Sequence, residues 1–310
     1  MEIIRVENLT KIFNGQRVVD DLSFKVYEGE TFGILGPNGA GKTTTIKMLI
    51  GVYRPVSGRI IIKGYDVQRE PIEVKRLIGV CPQEFCFDHH LSIEEDLYFY
   101  ARLYGLPRSE ARRRVREVLE WMKLDRHSKK RANQLSGGMQ RRLLMARAVI
   151  TEPPILFLDE PTTGLDPQSR RVLWRYISEM KERGKTIILT THYLEEAELL
   201  CDRVIIIDCG KKIAEGTPED LKRVLKVTGI VKIRPKSYIS PIVIERIKGV
   251  EGVENIIWQN DLLKIYLRDE CALETIIRLV LKDTGILWID IEKASLEDVF
   301  LYLTGVDVKQ

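Results

Sequence analysis

Three stretches of the sequence predict an α/β fold with a smaller α+β unit after it. The apolar run at residues 31–35 leads into Gly36-Pro37-Asn38-Gly39-Ala40-Gly41-Lys42-Thr43, and residues 44–49 then read as the first turns of a helix. A second apolar run, Ile155-Leu156-Phe157-Leu158, follows Glu152-Pro153-Pro154 and ends in Asp159-Glu160, as a parallel strand buried on both faces does. After Thr217-Pro218-Glu219-Asp220 the chain changes to short strands and helices with period-2 alternation.

The glycine-rich segment has the P-loop spacing Gly36-x-x-x-x-Gly41-Lys42-Thr43. Glycines at those positions let successive backbone N–H groups converge on phosphate oxygens, and the helix N-terminus that follows adds partial positive charge. Lys42 is expected to reach the β- and γ-phosphates and the Thr43 hydroxyl to bind Mg²⁺. The nucleotide-binding candidates here are Gly36, Pro37, Asn38, Gly39, Ala40, Gly41, Lys42, Thr43 and Thr44. A glycine-rich surface turn that binds nothing is the bland alternative, but it would not come with a strand before it and a helix after it.

Ligands of open α/β sheets bind at the C-terminal ends of the strands, where Asp159 and Glu160 fall. Asp159 is placed to hold the metal directly or through water, and Glu160 to orient and deprotonate an attacking water. Alone, such a pair reads as an ordinary strand terminus; the upstream P-loop favours the chemical role.

With Leu135-Ser136-Gly137-Gly138-Met139-Gln140 added, the chain resembles the ATP-binding subunits of ATP-binding-cassette (ABC) transporters, whose signature this is. The resemblance implies a P-loop NTPase, RecA-like nucleotide-binding domain with an antiparallel β subdomain and a helical insertion. It implies ATP and Mg²⁺ as ligands, and a head-to-tail dimer in which Ser136, Gly137, Gly138 and Gln140 serve ATP held by the opposite copy. It further identifies Gln83 with the Q-loop glutamine that touches Mg²⁺ or the lytic water, and Asp166 with the D-loop acid that communicates across the dimer. His192 corresponds to the switch histidine on the γ-phosphate, and Phe13 to an aromatic that stacks on adenine, where many members carry Tyr. Catalysis would thus fall to Glu160, His192 and Gln83, and the metal to Thr43, Gln83 and Asp159.

Composition is compatible with this. The 310 residues can bury a sizeable core and form two domains, with 30% charged and 44% hydrophobic residues and a net charge of +4. No stretch has the length of apolar residues that spans a bilayer, and Met1-Glu2-Ile3-Ile4-Arg5 lacks a signal-peptide layout. A transporter subunit of this kind needs a separate integral membrane permease, which places it in the cytoplasm, peripheral on the inner face of the membrane. The five cysteines show no zinc spacing and read as reduced thiols; a Cys81–Cys86 metal or redox site is the alternative. The arginines at 108, 112, 113, 114 and 116 read as the solvated face of a helix whose other side carries Val115, Val118, Leu119 and Met122, so no nucleic acid is expected.

The organisation predicted is a nucleotide-binding domain over residues 1–220, with a helical insertion over about 84–150, and an accessory α+β domain over 221–310. Glu84-Phe85-Cys86-Phe87-Asp88-His89-His90-Leu91 is too apolar for a plain solvent loop, so it and the helix starting at Ser92 are expected to receive a cytoplasmic helix of the permease. In the last domain the order βαββαβ suggests a ferredoxin-like fold, with Leu263, Ile265 and Leu267 facing its core. The closing segment, residues 294–305, is similar to the ending of ATPase subunits in the drug-resistance and antibiotic-exporter branch, and Ser295 can cap its helix. A soluble cassette ATPase acting on DNA, ribosomes or iron-sulfur assembly is the rival function; a single cassette without heptads speaks against it.

Overall fold

The computed structural model describes residues 1–304 apart from 226, 260 and 270. Contacts divide the chain into two units, Met1–Pro218 and Glu219–Gln310. The first unit runs β1 (Glu2–Phe13), β2 (Gln16–Tyr27), β3 (Thr31–Leu35), α1 (Lys42–Leu49), β4 (Ser57–Ile62), β5 (Tyr65–Asp66), α2 (Pro71–Leu77) and β6 (Ile78–Cys81). It continues with α3 (Ile93–Leu103), α4 (Arg108–Trp121), α5 (Gly137–Val149), β7 (Ile155–Asp159), α6 (Pro167–Glu182), β8 (Thr186–Thr191), α7 (Leu194–Leu200), β9 (Arg203–Asp208) and β10 (Lys211–Gly216). Helix α8 (Pro218–Val224) crosses the division.

Two sheets share the core of this unit. One has the order β10-β9-β3-β8-β7-β6, parallel except for the edge strand β10, and β3, β7 and β8 are buried along their whole length. The other is antiparallel, β2-β1-β4-β5, and packs Ile4, Val6, Leu22 and Val26 into the same cluster as Ile34, Ile46 and Phe157.

The segment between β6 and α5 is helical. Ser92 opens α3 with a capping box: its hydroxyl accepts from Glu95 N while the Glu95 carboxylate accepts from Ser92 N. On α4 the apolar residues Val115, Val118 and Leu119 are buried as the spacing predicts, but Arg114 departs from the predicted solvated face. Its guanidinium is half-buried and donates to the carbonyls of Val149 and Ile150, closing the end of α5.

The second unit runs β11 (Gly229–Pro235), α9 (Pro241–Lys248), β12 (Val253–Gln259), β13 (Leu262–Leu267), α10 (Ala272–Asp283), β14 (Ile286–Glu292) and α11 (Leu296–Thr304). Its sheet has the antiparallel order β12-β13-β11-β14, the ferredoxin-like arrangement. Leu263, Ile265 and Leu267 face α9 and α10 in one cluster. The opposite face is covered too, unlike a simple half-buried strand: Tyr266 is buried and donates its hydroxyl to Asp298 of α11. Leu296, Val299 and Phe300 of α11 are fully buried, and Ser295 caps the helix by accepting from Asp298 N. Gly305, at the end of the predicted closing segment, lies outside the described residues.

Candidate nucleotide site

Because β3, β8 and β7 are neighbours, their C-terminal ends open on one crevice: Leu35 pairs with Thr191, and Asp159 with Thr190. Strand β6, beside β7, brings Gln83 to the same place two residues after Cys81.

The loop from β3 to α1 admits only glycine at two points. A Cβ on Gly36 would lie 2.4 Å from Ile207 O, and one on Gly41 2.6 Å from Val18 O; Gly41 also has φ +101°. Ala40 is buried, while Asn38 and Gly39 are exposed and Pro37 and Thr44 are half-buried. Lys42 is buried and donates from Nζ to Gly36 O at 2.9 Å and Pro37 O at 3.0 Å. The same Nζ lies 3.2 Å from Glu160 Oε1.

Three oxygens converge beside it. Thr43 Oγ1 is 3.1 Å from Asp159 Oδ1 and 3.4 Å from Gln83 Oε1. One hydroxyl proton serves only one of these acceptors, so the cluster has spare acceptor capacity suited to a hard cation. Asp159 Oδ1 also accepts from Thr190 Oγ1 at 2.6 Å, and burial raises the Asp159 pKa against the pull of the Thr190 and Thr43 hydroxyls.

Glu160 turns the chain at φ +46°, a conformation that costs a non-glycine residue about 1–2 kcal/mol. Its N–H is fixed on Thr190, 2.9 Å from Oγ1 and 3.1 Å from the carbonyl. The carboxylate collects Gln83 Nε2 at 3.2 Å and Thr163 Oγ1 at 3.1 Å. His192 Nδ1 approaches to 3.3 Å, misaligned for a hydrogen bond. Burial works against the charge on Glu160, but the His192 imidazole and the Lys42 ammonium outweigh it and hold the carboxyl down to about 2.

The other predicted residues lie apart from this cluster. Ser136 caps α5 through Met139 N, and Ser136 and Gly137 are exposed. Gln140 turns its amide inward, donating to Ala132 O at 2.9 Å, and so braces the loop before α5. Asp166 caps α6, accepting from Ser169 N at 2.9 Å and Ser169 Oγ at 2.6 Å. Gly138 packs directly on that cap, where a Cβ would meet Ser169 Oγ at 2.7 Å. Among the described residues, no hydrogen bond or ion pair joins residues 136–140 to the P-loop. Phe13, 38% exposed at the end of β1, meets Tyr53 edge-on at 5.4 Å and Lys11 Nζ at 4.9 Å.

Thr163, Thr190 and Arg141 belong to the site without having been predicted. Arg141, buried on α5, donates to the carbonyls of Pro82 and Gln83 at 2.8 and 3.0 Å and lies over the Phe85 ring. The one sequence signal was the threonine pair Thr190-Thr191 that ends β8. Cys81 is buried and burial pushes its thiol up to about 11, while Cys86 is exposed; among the described residues no group of three or more His, Cys, Asp or Glu could hold a metal.

The model of the ABC transporter family matches residues 19–163. The Nod factor export ATP-binding protein I of Burkholderia thailandensis is 41% identical, over 99% of this chain and 98% of its own. The linearmycin resistance ATP-binding protein LnrL of Bacillus subtilis is 37% identical over 98% of both. A solved ATP-binding subunit of an ABC transporter superposes with a TM-score of 0.66 at 35% identity, covering 72% of this chain and 92% of that one. An ATP-binding cassette solved as a dimer in a post-hydrolysis state, bound to ADP and phosphate, gives 0.64 at 26% identity, over 69% and 98%. With relatives matched over nearly all of both chains, the protein belongs to the ATP-binding subunits of ABC transporters and is an ATPase.

Proposed function

We propose that the protein is the ATP-hydrolysing subunit of an exporter, working as a head-to-tail pair at the cytoplasmic face of a membrane beside an integral permease. The observation that carries this is the convergence of Lys42, Thr43, Gln83, Asp159, Glu160 and His192 at the ends of adjacent strands. Two relatives named for export and for antibiotic resistance supply the direction.

The P-loop amides and Lys42 receive the phosphates of ATP, with Phe13 against the base. Thr43, Asp159 and Gln83 form the all-oxygen set that would hold Mg²⁺, which when bound neutralises charge on the β- and γ-phosphates. While paired with Lys42 and His192, Glu160 is a weak base. ATP competes for Lys42, and as that ammonium turns to the phosphates Glu160 regains basicity toward the water it orients. His192 is then free to engage the γ-phosphate.

Ser136 and the amides of Gly137 and Gly138 serve the ATP of the second copy, held in place by Gln140, and Asp166 faces the same junction. Their exposure away from their own P-loop, and the dimer of a solved relative, support this reading. Among the described residues no helix is long and apolar enough to cross a membrane, so the permease is a separate chain or region. Its docking groove is placed at Phe85 and Phe87, stacked at 6.1 Å beside a cavity of about 200 Å³ lined by Cys86, Tyr100, Tyr104 and Arg147.

Pull-down of the full chain from detergent-solubilised membranes tests the proposal. Recovery of a polytopic membrane protein is expected, with Phe85→Ala and Phe87→Ala abolishing transport while ATP turnover persists. Co-sedimentation with ribosomes or DNA instead would overturn it, and transport that survives both substitutions would move the groove elsewhere.

A further inference from the structure

Glu196 is fully buried on α7, away from the nucleotide cluster, and the chemistry outlined above makes no use of it. Its Oε1 accepts two hydrogen bonds, from Thr162 Oγ1 at 2.8 Å and from Trp174 Nε1 at 2.9 Å. Burial raises its pKa, opposed by the Thr191 and Thr162 hydroxyls, the Trp174 indole N–H and the nearby Arg170 charge. A buried carboxyl is an expensive way to fill space, and these partners belong to different parts of the machinery. Thr162 lies in the turn between Glu160 and Asp166, Trp174 is on the helix that Asp166 caps, and Glu196 itself is on the helix that follows His192.

The turn needs such a support. Glu160 sits at positive φ and takes a hydrogen bond from Thr163, the neighbour of Thr162. A slack turn would move the Glu160 carboxylate and the Asp166 cap together. We infer that Glu196 is a positioning residue for ATP hydrolysis: a buried acceptor on α7, the helix just after His192, that ties the turn carrying Glu160 to α6. Its role rests on the hydrolytic reading of the site and adds to it a residue that touches neither nucleotide nor water.

The test is steady-state hydrolysis and ATP binding by the full chain carrying Glu196→Ala, Glu196→Gln or Thr162→Val. Glu196→Ala should lower kcat ~10- to 100-fold, with KM and ATP affinity within a few-fold of the parent. Glu196→Gln, which keeps the shape and an acceptor for Thr162 and Trp174, should restore most of the rate. Thr162→Val removes one donor at constant volume, reproduces part of the loss, and adds little when combined with Glu196→Ala. It also carries the test if the alanine variant does not fold. Unchanged kcat in Thr162→Val and in a folded Glu196→Ala overturns the inference, as does a loss that Gln does not rescue. A parent chain that hydrolyses no ATP would instead sink the hydrolytic reading.

Discussion

Lys42 Nζ and Glu160 Oε1 stand 3.2 Å apart with both side chains shielded from water, so the phosphate-binding cation and the proposed base hold each other. Replacing one therefore alters the other's surroundings, and the two substitutions differ in what they abolish.

Glu160→Gln keeps the shape of the side chain and its contact with Gln83 while removing the proton acceptor. Turnover should fall ~10²- to 10⁴-fold. ATP binding, followed by titration calorimetry, should be preserved or tightened, because Lys42 loses its competing carboxylate. Near-normal turnover would take Glu160 out of the role.

Lys42→Ala removes the ammonium that bridges Gly36 O, Pro37 O and Glu160. ATP affinity itself should drop, by ~10-fold or more for the loss of charge-assisted contacts to phosphate. The same calorimetric titration decides it; full affinity would contradict the P-loop assignment.

The insertion is braced by a buried pair. Arg147 Nε donates to Asp96 Oδ2 at 2.6 Å, a second guanidinium nitrogen meets Oδ1, and the Arg147 plane lies over Phe87 and Tyr100. Asp96→Ala leaves that guanidinium buried without its partner and should cost about 3–5 kcal/mol in urea unfolding. Removing both charges with Asp96→Leu and Arg147→Leu together should recover part of that cost.

Glu196 gives a pH signature. Its folded pKa lies above the ordinary 4.5, so as pH rises past that value the unfolded chain releases a proton that the native state retains, and stability falls. Glu196→Gln lacks this proton. Urea midpoints of parent and variant should converge near pH 4 and separate in favour of the variant toward pH 7; a difference flat in pH would contradict a raised carboxyl.

The parts legible in the sequence were those written in contiguous residues. A P-loop and a strand ending in two acids are local patterns, and so was the recurrence of Leu263, Ile265 and Leu267 along β13. Strands β1 and β2 were harder to see. Their ladder shifts register between Val6 and Leu9 and again between Leu9 and Lys11, and Asn8 and Asp21 take positive φ, so bulges break the period of two. Thr190, Arg141 and Glu196 were hard to assign for another reason. Each acts through a neighbour that only the register of β7 on β8, or the packing of α5 and α7, brings close.

Gly138 has no room for a side chain because Ser169 occupies it, and Ser169 is itself held by Asp166. The two loops thus share a single mutational fate: an alanine at 138 would push the Ser169 hydroxyl off the Asp166 carboxylate and loosen that cap. Descendants of this sequence can drift freely along the solvent face of α4, whereas these positions, separate in the chain, must be inherited as one unit.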